Sequence, residues 1–301
     1  MKNKVKNAIK ESKEEKESLF KEIKFKSQAA MEYLMTYGWA ILIIALSLVV
    51  LYSLGITNPK NFIPRAPPGS CFVFRPNGPG TTDFISLQGT CGYLPMYVAS
   101  FNGVNAYINC GNGAIFDTII NAITIGAWIK GNSWTRGDVA SRWTGPYPWL
   151  FRVTGNGKLF FAWNGAPNAG EGNTILNTKQ WYYVVVTYNG SNVRYWINGL
   201  VDKDYPVTFT FTSGGIVEIG ANTYDGVYFN GLIANVQIYN TALTPQEIQY
   251  LYQQGLGGGP VRLQNLVAWW PLNGDAKDYS GNNNHGTIYG GVTFVQNYNP
   301  P

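Results

Sequence analysis

Two hydrophobic periodicities divide the chain. Between Ala40 and Val50 every residue except Ser47 is apolar, and the wider run from Ala29 to Ile56 carries a single charge, Glu32. As a helix, that run is long enough to cross about 30 Å of hydrocarbon. Beyond residue 70 apolar residues recur at alternate positions instead. AITIGAWIK, LFFAWNG, WYYVVVTYNGSNVRYWING, VTFTF, IVEIGA and NGLIANVQIYN read as strands separated by Gly, Asn and Pro turns. The pattern predicts a mainly β fold, an antiparallel sandwich preceded by one long N-terminal hydrophobic α-helix. Its clearest hairpin is VVVTYNGSNVRYWI, with Asn189 and Gly190 in a two-residue turn. A short helix is predicted in TPQEIQYLYQQG, opening on Thr244 as N-cap with Glu247 three residues on and closing at Gly255.

Punctuation between these elements suggests the organisation. Residues 57–69, TNPKNFIPRAPPG, are a Pro-rich linker, and residues 70–98 a small β segment. The sandwich occupies residues 99–255, and residues 256–301 hold a Gly-rich hinge and further strands. Cys71 and Cys91 bracket two short strands around a Pro/Gly turn, and a disulfide between them would clamp that segment. Cys110, at a period-two position in AYINCG, reads as a buried free thiol, and no cysteine or histidine spacing suggests zinc.

The approach to the apolar run decides its orientation. Residues 1–26 hold nine Lys and five Glu, which leaves this end in the cytoplasm and everything after residue 57 outside. A secretory signal would end in a small-residue cleavage site, whereas here the small residue, Ser27, precedes the apolar run. KFKS followed by QAAMEYLMTYGWAILI resembles the class III signal and N-terminal helix of archaeal type IV pilins. That resemblance implies a prepilin peptidase cut between Ser27 and Gln28, although Ser27 stands where Gly or Ala is commoner. Residues 1–27 would be the leader and residues 28–56 the helix, placed in the membrane before assembly and in a filament core of like subunits afterwards. Glu32, the fifth residue of the processed chain, would meet the N-terminal amine of a neighbour. A bare carboxylate there costs about 2.5 kcal/mol or more in lipid, so a partner is expected. The rival reading is an uncleaved signal anchor. Charge then changes meaning: the formal +5 falls to +1 once the leader is removed, which excludes a nucleic-acid partner.

FNGVNAYINCG, ITIGAWIK, WYYVVVTYNGSNVRYWING and IGANTYDGVYFNGLIANVQIYNTALTPQEIQYLY resemble the laminin G-like, concanavalin A-like jelly roll. The resemblance implies two stacked antiparallel sheets that bind glycans or proteins and, in some branches, hydrolyse polysaccharides. LVAWWPLNGDAKDYSGNNNHGTIYGGVTF resembles the opening of such a domain, yet it lies at the C-terminus. Circular permutation, donation of these strands to a neighbouring subunit, or a truncated second domain would each account for it.

The inventory of reactive groups argues against an enzyme. One histidine, His285, lies in a Gly/Asn loop without a strained nucleophile turn. Glu alternating with Asp on one strand, as polysaccharide hydrolases of this fold carry, is absent, and Asp202 with Asp204 reads as a solvated turn. No cofactor is required. A structural calcium ion is considered at Asp278, Asn282, Asn283 and Asn284, whose oxygens suit a hard cation. Against it, Asn102, Asn105 and Ala234 are neutral where relatives carry Asp, and Asn/Gly loops form turns without metal. Among the aromatics, Trp143, Trp149 and Trp163 are assigned to the core. Trp134, Tyr147, Tyr224 and Tyr228 are the surface candidates for stacking on sugar faces. Asn189, in the chain's one N-glycosylation sequon, is a modification candidate. The expected function is an extracellular pilin-like filament subunit or adhesin with a lectin-type head. The rivals are a non-polymerising membrane-anchored carbohydrate-binding protein and a polysaccharide hydrolase or lyase.

Overall fold

A computed structural model describes residues 2–53, 64–145 and 147–301. Residues 54–56 of the expected helix and 57–63 of the expected linker lie outside the described residues. The chain divides into two units, Met1–Phe62 and Ile63–Pro301.

The first unit is one helix, Lys2–Ser53. Helical structure begins in the Lys/Glu-rich leader because both residues are good helix formers and pair four positions apart, as Glu22 and Lys26 do at 2.8 Å. It runs unbroken through Ser27 and Gln28. Ser27 Oγ donates to the Lys24 carbonyl at 3.0 Å, Thr36 Oγ1 to that of Glu32 at 2.8 Å and Ser47 Oγ to that of Ile43 at 2.7 Å. Each hydroxyl is thereby satisfied within the helix, as an apolar medium requires. By length and composition the segment Lys16–Ser53 is able to cross a membrane. Ile41, Leu42, Ile43, Ile44, Leu46 and Leu48 are all exposed, so apolar surface encircles the helix.

The second unit is a sandwich of two antiparallel sheets. One has seven strands in the order Ala166–Asn168, Leu159–Trp163, Trp149–Val153, Gly137–Arg142, Glu218–Ile219, Tyr107–Asn109 and Thr287–Tyr289. The other has eight. Seven run in the order Leu200–Pro206, Asn192–Ile197, Tyr182–Tyr188, Ile123–Gly131, Asn230–Tyr239, Val98–Asn102 and Thr293–Val295, and Leu266–Trp270 also pairs with Asn230–Tyr239. The C-terminal segment thus places strands in both sheets of its own chain. Between the sheets lie Ile125, Ala127, Ile129, Val184, Val186 and Ile238 from one side and Ile108, Phe151, Phe161 and Ile219 from the other.

The central strands of the eight-stranded sheet are buried on both faces and therefore read as near-continuous apolar runs. Trp128, Tyr183, Val185, Trp196 and Ala234 point away from the sandwich interior into a second core. That core is closed by Ile248 and Leu251 of the helix Pro245–Gln254 and by Val73 of the segment bridged by Cys71 and Cys91. The helix begins with a capping box: Glu247 N donates to Thr244 Oγ1, and Glu247 Oε2 accepts from Thr244 N at 2.8 Å. Arg75 locks the bridged segment to the C-terminal one, donating through Nε to the Ser280 carbonyl and through Nη2 to those of Leu263 and Leu266.

Several local expectations need correction. Asn189 N donates to the Asn192 carbonyl, so the two-residue turn is Gly190–Ser191, with Gly190 at φ 92°. Asn189 precedes that turn, and its Oδ1 accepts from Ser191 N, Ser191 Oγ and Asn192 N at 2.8–3.0 Å. VTFTF pairs with no sheet. Its alternation instead sends Val207, Phe209 and Phe211 against the sandwich core, with Phe209 stacked on Tyr188 and Trp163. Asp202 and Asp204 lie on the edge strand Leu200–Pro206 rather than in a turn. There Asp202 accepts from Asn173 N and Thr174 N, while Asp204 pairs with Arg194.

Candidate functional site: the outer face of the seven-stranded sheet

Register determines which side chains leave the core on this face. Ala162 pairs with Leu150, Leu150 with Ser141, Ser141 with Glu218, Glu218 with Asn109 and Asn109 with Thr287, forming one outward row. A second row runs from Phe160 through Arg152 to Asp138, and across the sheet Tyr107 pairs with Tyr289. The hairpin formed by Ala221–Asn222 and Val227–Tyr228 lies over the middle, held by Ser141 Oγ donating to the Ala221 carbonyl at 2.8 Å.

Arg152 and Asp138 form a buried bidentate pair, Nε to Oδ1 at 2.6 Å and Nη2 to Oδ2 at 3.0 Å. Asp225, from the hairpin, lies 3.2 Å from Arg136 Nη2 and 3.7 Å from Arg152 Nη2. Burial raises the Asp138 carboxyl to about 6, with Arg152 opposing the rise. Beside this alternation of charge a cleft of about 260 Å³ is lined by Arg136, Arg152, Thr154, Gly155, Phe160 and Glu171. Each arginine is matched by a carboxylate and Glu171 adds a third, so the cleft offers fixed donors and acceptors without an excess of positive charge.

An aromatic shelf adjoins the cleft. Trp143, Leu150 and Ala162 form a small buried cluster against which Tyr147 and Phe160 pack. Tyr147 lies 5.6 Å from Trp143 and meets Tyr224 edge-on at 5.0 Å. Tyr147 has φ 65°, a left-handed conformation that costs a non-glycine residue about 1 kcal/mol or more and that the surrounding structure must enforce. Gly165 N donates to its carbonyl at 3.2 Å and holds the turn, so that the ring folds back over the sheet. Tyr224, in the turn of that hairpin, is 61% exposed despite its contact with Tyr147. One of two rings set at an angle can stack on a sugar face while the other borders it, and the paired polar groups beside them can hydrogen-bond its hydroxyls.

Further along the face Tyr107 stacks on Tyr289 at 4.9 Å, and Tyr228 approaches Tyr107 at 6.4 Å. Beneath them Glu218 is buried, accepting from Thr223 N at 2.9 Å and Thr223 Oγ1 at 2.6 Å, and burial raises its carboxyl above the ordinary value. Burial, with Glu218 next, pushes the Tyr107 phenol up.

The structure thus brings Tyr147 and Tyr224 together and sets Tyr228 on the same face. Trp134 does not join them. Its indole Nε1 donates to the Leu176 carbonyl at 2.7 Å, and its ring packs against Phe229 and over Gly131, where a Cβ would come within 2.3 Å. Trp134 is a packing residue. Tyr107, Tyr289, Arg136 and Arg152 were missed by sequence reasoning. Alternation around Ile108 marks Tyr107 as outward-facing, whereas only the pairing of the tail with Tyr107–Asn109 reveals Tyr289.

The Asp278 loop does not fit calcium. Asp278 Oδ1 accepts from Trp269 N at 3.0 Å and Ser280 N at 2.9 Å, and Oδ2 from Asn284 N at 2.9 Å and Asn284 Nδ2 at 3.2 Å. Asn282 spends its Nδ2 on the Leu266 and Val267 carbonyls and its Oδ1 on Gly80 N. Four N–H donors thus occupy both oxygens of the carboxylate, the one charged ligand a cation would have here. His285 Nδ1 accepts from Asp278 N at 3.1 Å and so belongs to the same scaffold. Cys71 and Cys91 are bridged and Cys110 is a buried free thiol. Asn189 is exposed at its hairpin tip. Ser27, Gln28 and Glu32 lie exposed along the N-terminal helix, and among the described residues no basic group pairs with Glu32.

Residues 102–249 match a laminin G-type family model described as the Concanavalin A-like lectin/glucanases superfamily. No curated protein matches the chain. Among solved structures, the chain is similar to a Bacteroides ovatus protein proposed to bind carbohydrate, at 20% identity over 70% of this chain and 63% of that one, with a TM-score of 0.55. It is also similar to a heptameric SAP-like pentraxin of Limulus polyphemus, at 17% identity over 66% of this chain and 94% of that one, with a TM-score of 0.50. The chain spans under two thirds of the Bacteroides protein, and both likenesses speak to fold. The second unit carries a concanavalin A-like jelly-roll fold.

Proposed function

We propose that this chain is a cell-surface carbohydrate-binding protein whose jelly-roll head holds a sugar ring on the Tyr147/Tyr224 shelf. The observation that carries the reading is the shelf itself: two angled tyrosines, one held in a left-handed conformation, beside the Arg136/Asp225/Arg152/Asp138 alternation. A protein proposed to bind carbohydrate shares the fold, which supports the reading without identifying the sugar. On a glycan array the full-length chain in detergent binds a defined set of glycans, and Tyr147→Ala with Tyr224→Ala abolishes that binding while leaving the thermal melt in place. Binding indifferent to both changes refutes the site, and release of reducing ends revives the hydrolase reading.

The N-terminal helix is the assembly element in this proposal. A prepilin peptidase cleaves between Ser27 and Gln28, after the leader has held its end in the cytoplasm, and freed helices pack with copies of themselves into a filament core. Glu32 then meets a neighbour's N-terminal amine. An encircling apolar surface with one unpaired carboxylate supports this over a lone anchor. Filaments in a shear fraction should contain chains beginning at Gln28, whereas full-length protein confined to membranes would leave a non-polymerising anchored lectin. The C-terminal strands are read as a circular permutation that completes the subunit's own head, so filament contacts rest on the helix.

A further inference from the structure

The aromatic rings of the seven-stranded sheet fall into two groups. Tyr147 and Tyr224, backed by Trp143, stand over the connection between Gly137–Arg142 and Trp149–Val153. Tyr107, Tyr228 and Tyr289 stand over the pairing of Tyr107–Asn109 with Thr287–Tyr289. About three strand spacings separate the groups, roughly 14 Å across the sheet. The hairpin of residues 221–228 links them, since Tyr224 serves the first group and Tyr228 the second. The groups are too far apart to touch a single sugar ring.

The surface between them is polar and carries no excess of positive charge. Arg136 and Arg152 face Asp225 and Asp138, and Glu218 is engaged by Thr223. Such a strip does not attract a polyanion, and its fixed donors and acceptors suit hydroxyl groups. Within the second group Tyr289 is 44% exposed, so part of its ring is open to a ligand despite the stacking on Tyr107.

We infer that this face is an extended groove for an unbranched, uncharged oligosaccharide chain, with one stacking station at Tyr147/Tyr224 and a second at Tyr107/Tyr228/Tyr289. The inference rests on the carbohydrate-binding reading above and adds the ligand's class: a chain of several neutral sugar residues rather than a terminal sugar. It also assigns a role to the C-terminal tail, whose strand Thr287–Tyr289 brings the outermost ring of the second station.

The test titrates the full-length chain in detergent with neutral gluco-, xylo-, manno- and galacto-oligosaccharides of graded length, from one residue to about eight. Affinity for the preferred series is expected to rise about tenfold or more between disaccharide and hexasaccharide. Tyr289→Ala should bring that ratio close to one, Tyr289→Phe should restore it by keeping the ring, and Tyr224→Ala should weaken short and long chains together. Leu200→Ala, on the edge of the other sheet, should change neither. Affinity that is already complete at the disaccharide, or a length dependence that survives Tyr289→Ala, overturns the extended groove while leaving carbohydrate binding intact. Failure of every series, short and long, with glycans still bound on the array overturns the neutral-chain groove alone, and failure on the array as well overturns the carbohydrate reading.

Discussion

Asp278→Asn tests whether the C-terminal loop is a hydrogen-bond hub or a cation site. The native carboxylate accepts four N–H groups, two on each oxygen. Asparagine keeps one oxygen and turns an N–H₂ group towards the other two donors, whichever way the amide is placed. Hydrogen bonds to charged groups are worth about 1.5–3 kcal/mol each, and the donors left behind are buried, so the loss comes to about 3–5 kcal/mol. For a domain of this size, at about 2–4 °C per kcal/mol, Tm should fall by roughly 10 °C. Near-UV circular dichroism is the apt signal, because Trp269 is held through its own N–H by Asp278 and Trp270 Nε1 donates to the Asn284 carbonyl. The melt is run with and without chelator. The hub predicts a large loss in the variant and no effect of chelator on the wild type. A wild type that chelator destabilises as much as the substitution does, with the variant indifferent to chelator, refutes the reasoning and restores a bound cation.

Removing both bridge cysteines as Cys71→Ser/Cys91→Ser should cost about 3 kcal/mol, as expected for a closed loop of this length, and a reductant should then have no further effect on the melt. A double variant as stable as the wild type would show that the clamp contributes nothing. Trp134→Ala should lose about 2–4 kcal/mol of stability yet keep its glycan affinity below its own melting range, and a selective loss of binding would return Trp134 to the site. Asp138 is raised from 3.8 to about 6 by burial, so the folded state binds this proton more readily than the unfolded one. Its contribution to stability is therefore fully present below about pH 4 and is lost as pH rises through about 6. A carbon-13 titration placing the Asp138 carboxyl at or below 4 would refute this.

What the sequence conveyed was burial more reliably than pairing. VTFTF shows why: its alternation is real and its phenylalanines turn inward, but period two records which side chains meet the core and says nothing about whether a neighbouring strand is within reach. The Gly190–Ser191 turn was misplaced by one residue because Asn189 offers both a turn-prone backbone and a side chain that caps the turn from outside. Trp134 misled for a related reason, since a large ring in a polar loop sequence looks exposed until the carbonyl that takes its N–H is known. Asp278 among asparagines suggested metal ligands because oxygen count is visible in a sequence and the direction of N–H donors is not. The apolar helix with its lone Glu32 was legible because nothing about it depends on distant contacts, whereas its continuation back through the leader to Lys2 was not read from the sequence.

The face assigned to sugar binding is the part of the molecule least accessible to local reading, because its residues come from positions as far apart as Tyr107 and Tyr289 and meet only through sheet register. That dispersal also constrains how it is tested. The tail that carries Tyr289 also carries Asp278, which fixes Trp269, and Trp270, which packs in the sandwich core. In the bridged segment, Val73 N donates in turn to the Tyr279 carbonyl and Arg75 Nε to the Ser280 carbonyl of that tail. Deleting residues after Gly259 would therefore remove a station of the groove, unpin a core strand and release the bridged segment at once, and loss of binding in such a truncation would carry no information about the sugar. Point changes at Tyr289 act on an exposed ring at a sheet edge, where the neighbouring backbone pairing can persist, and only they can separate a role in recognition from a role in holding the head together.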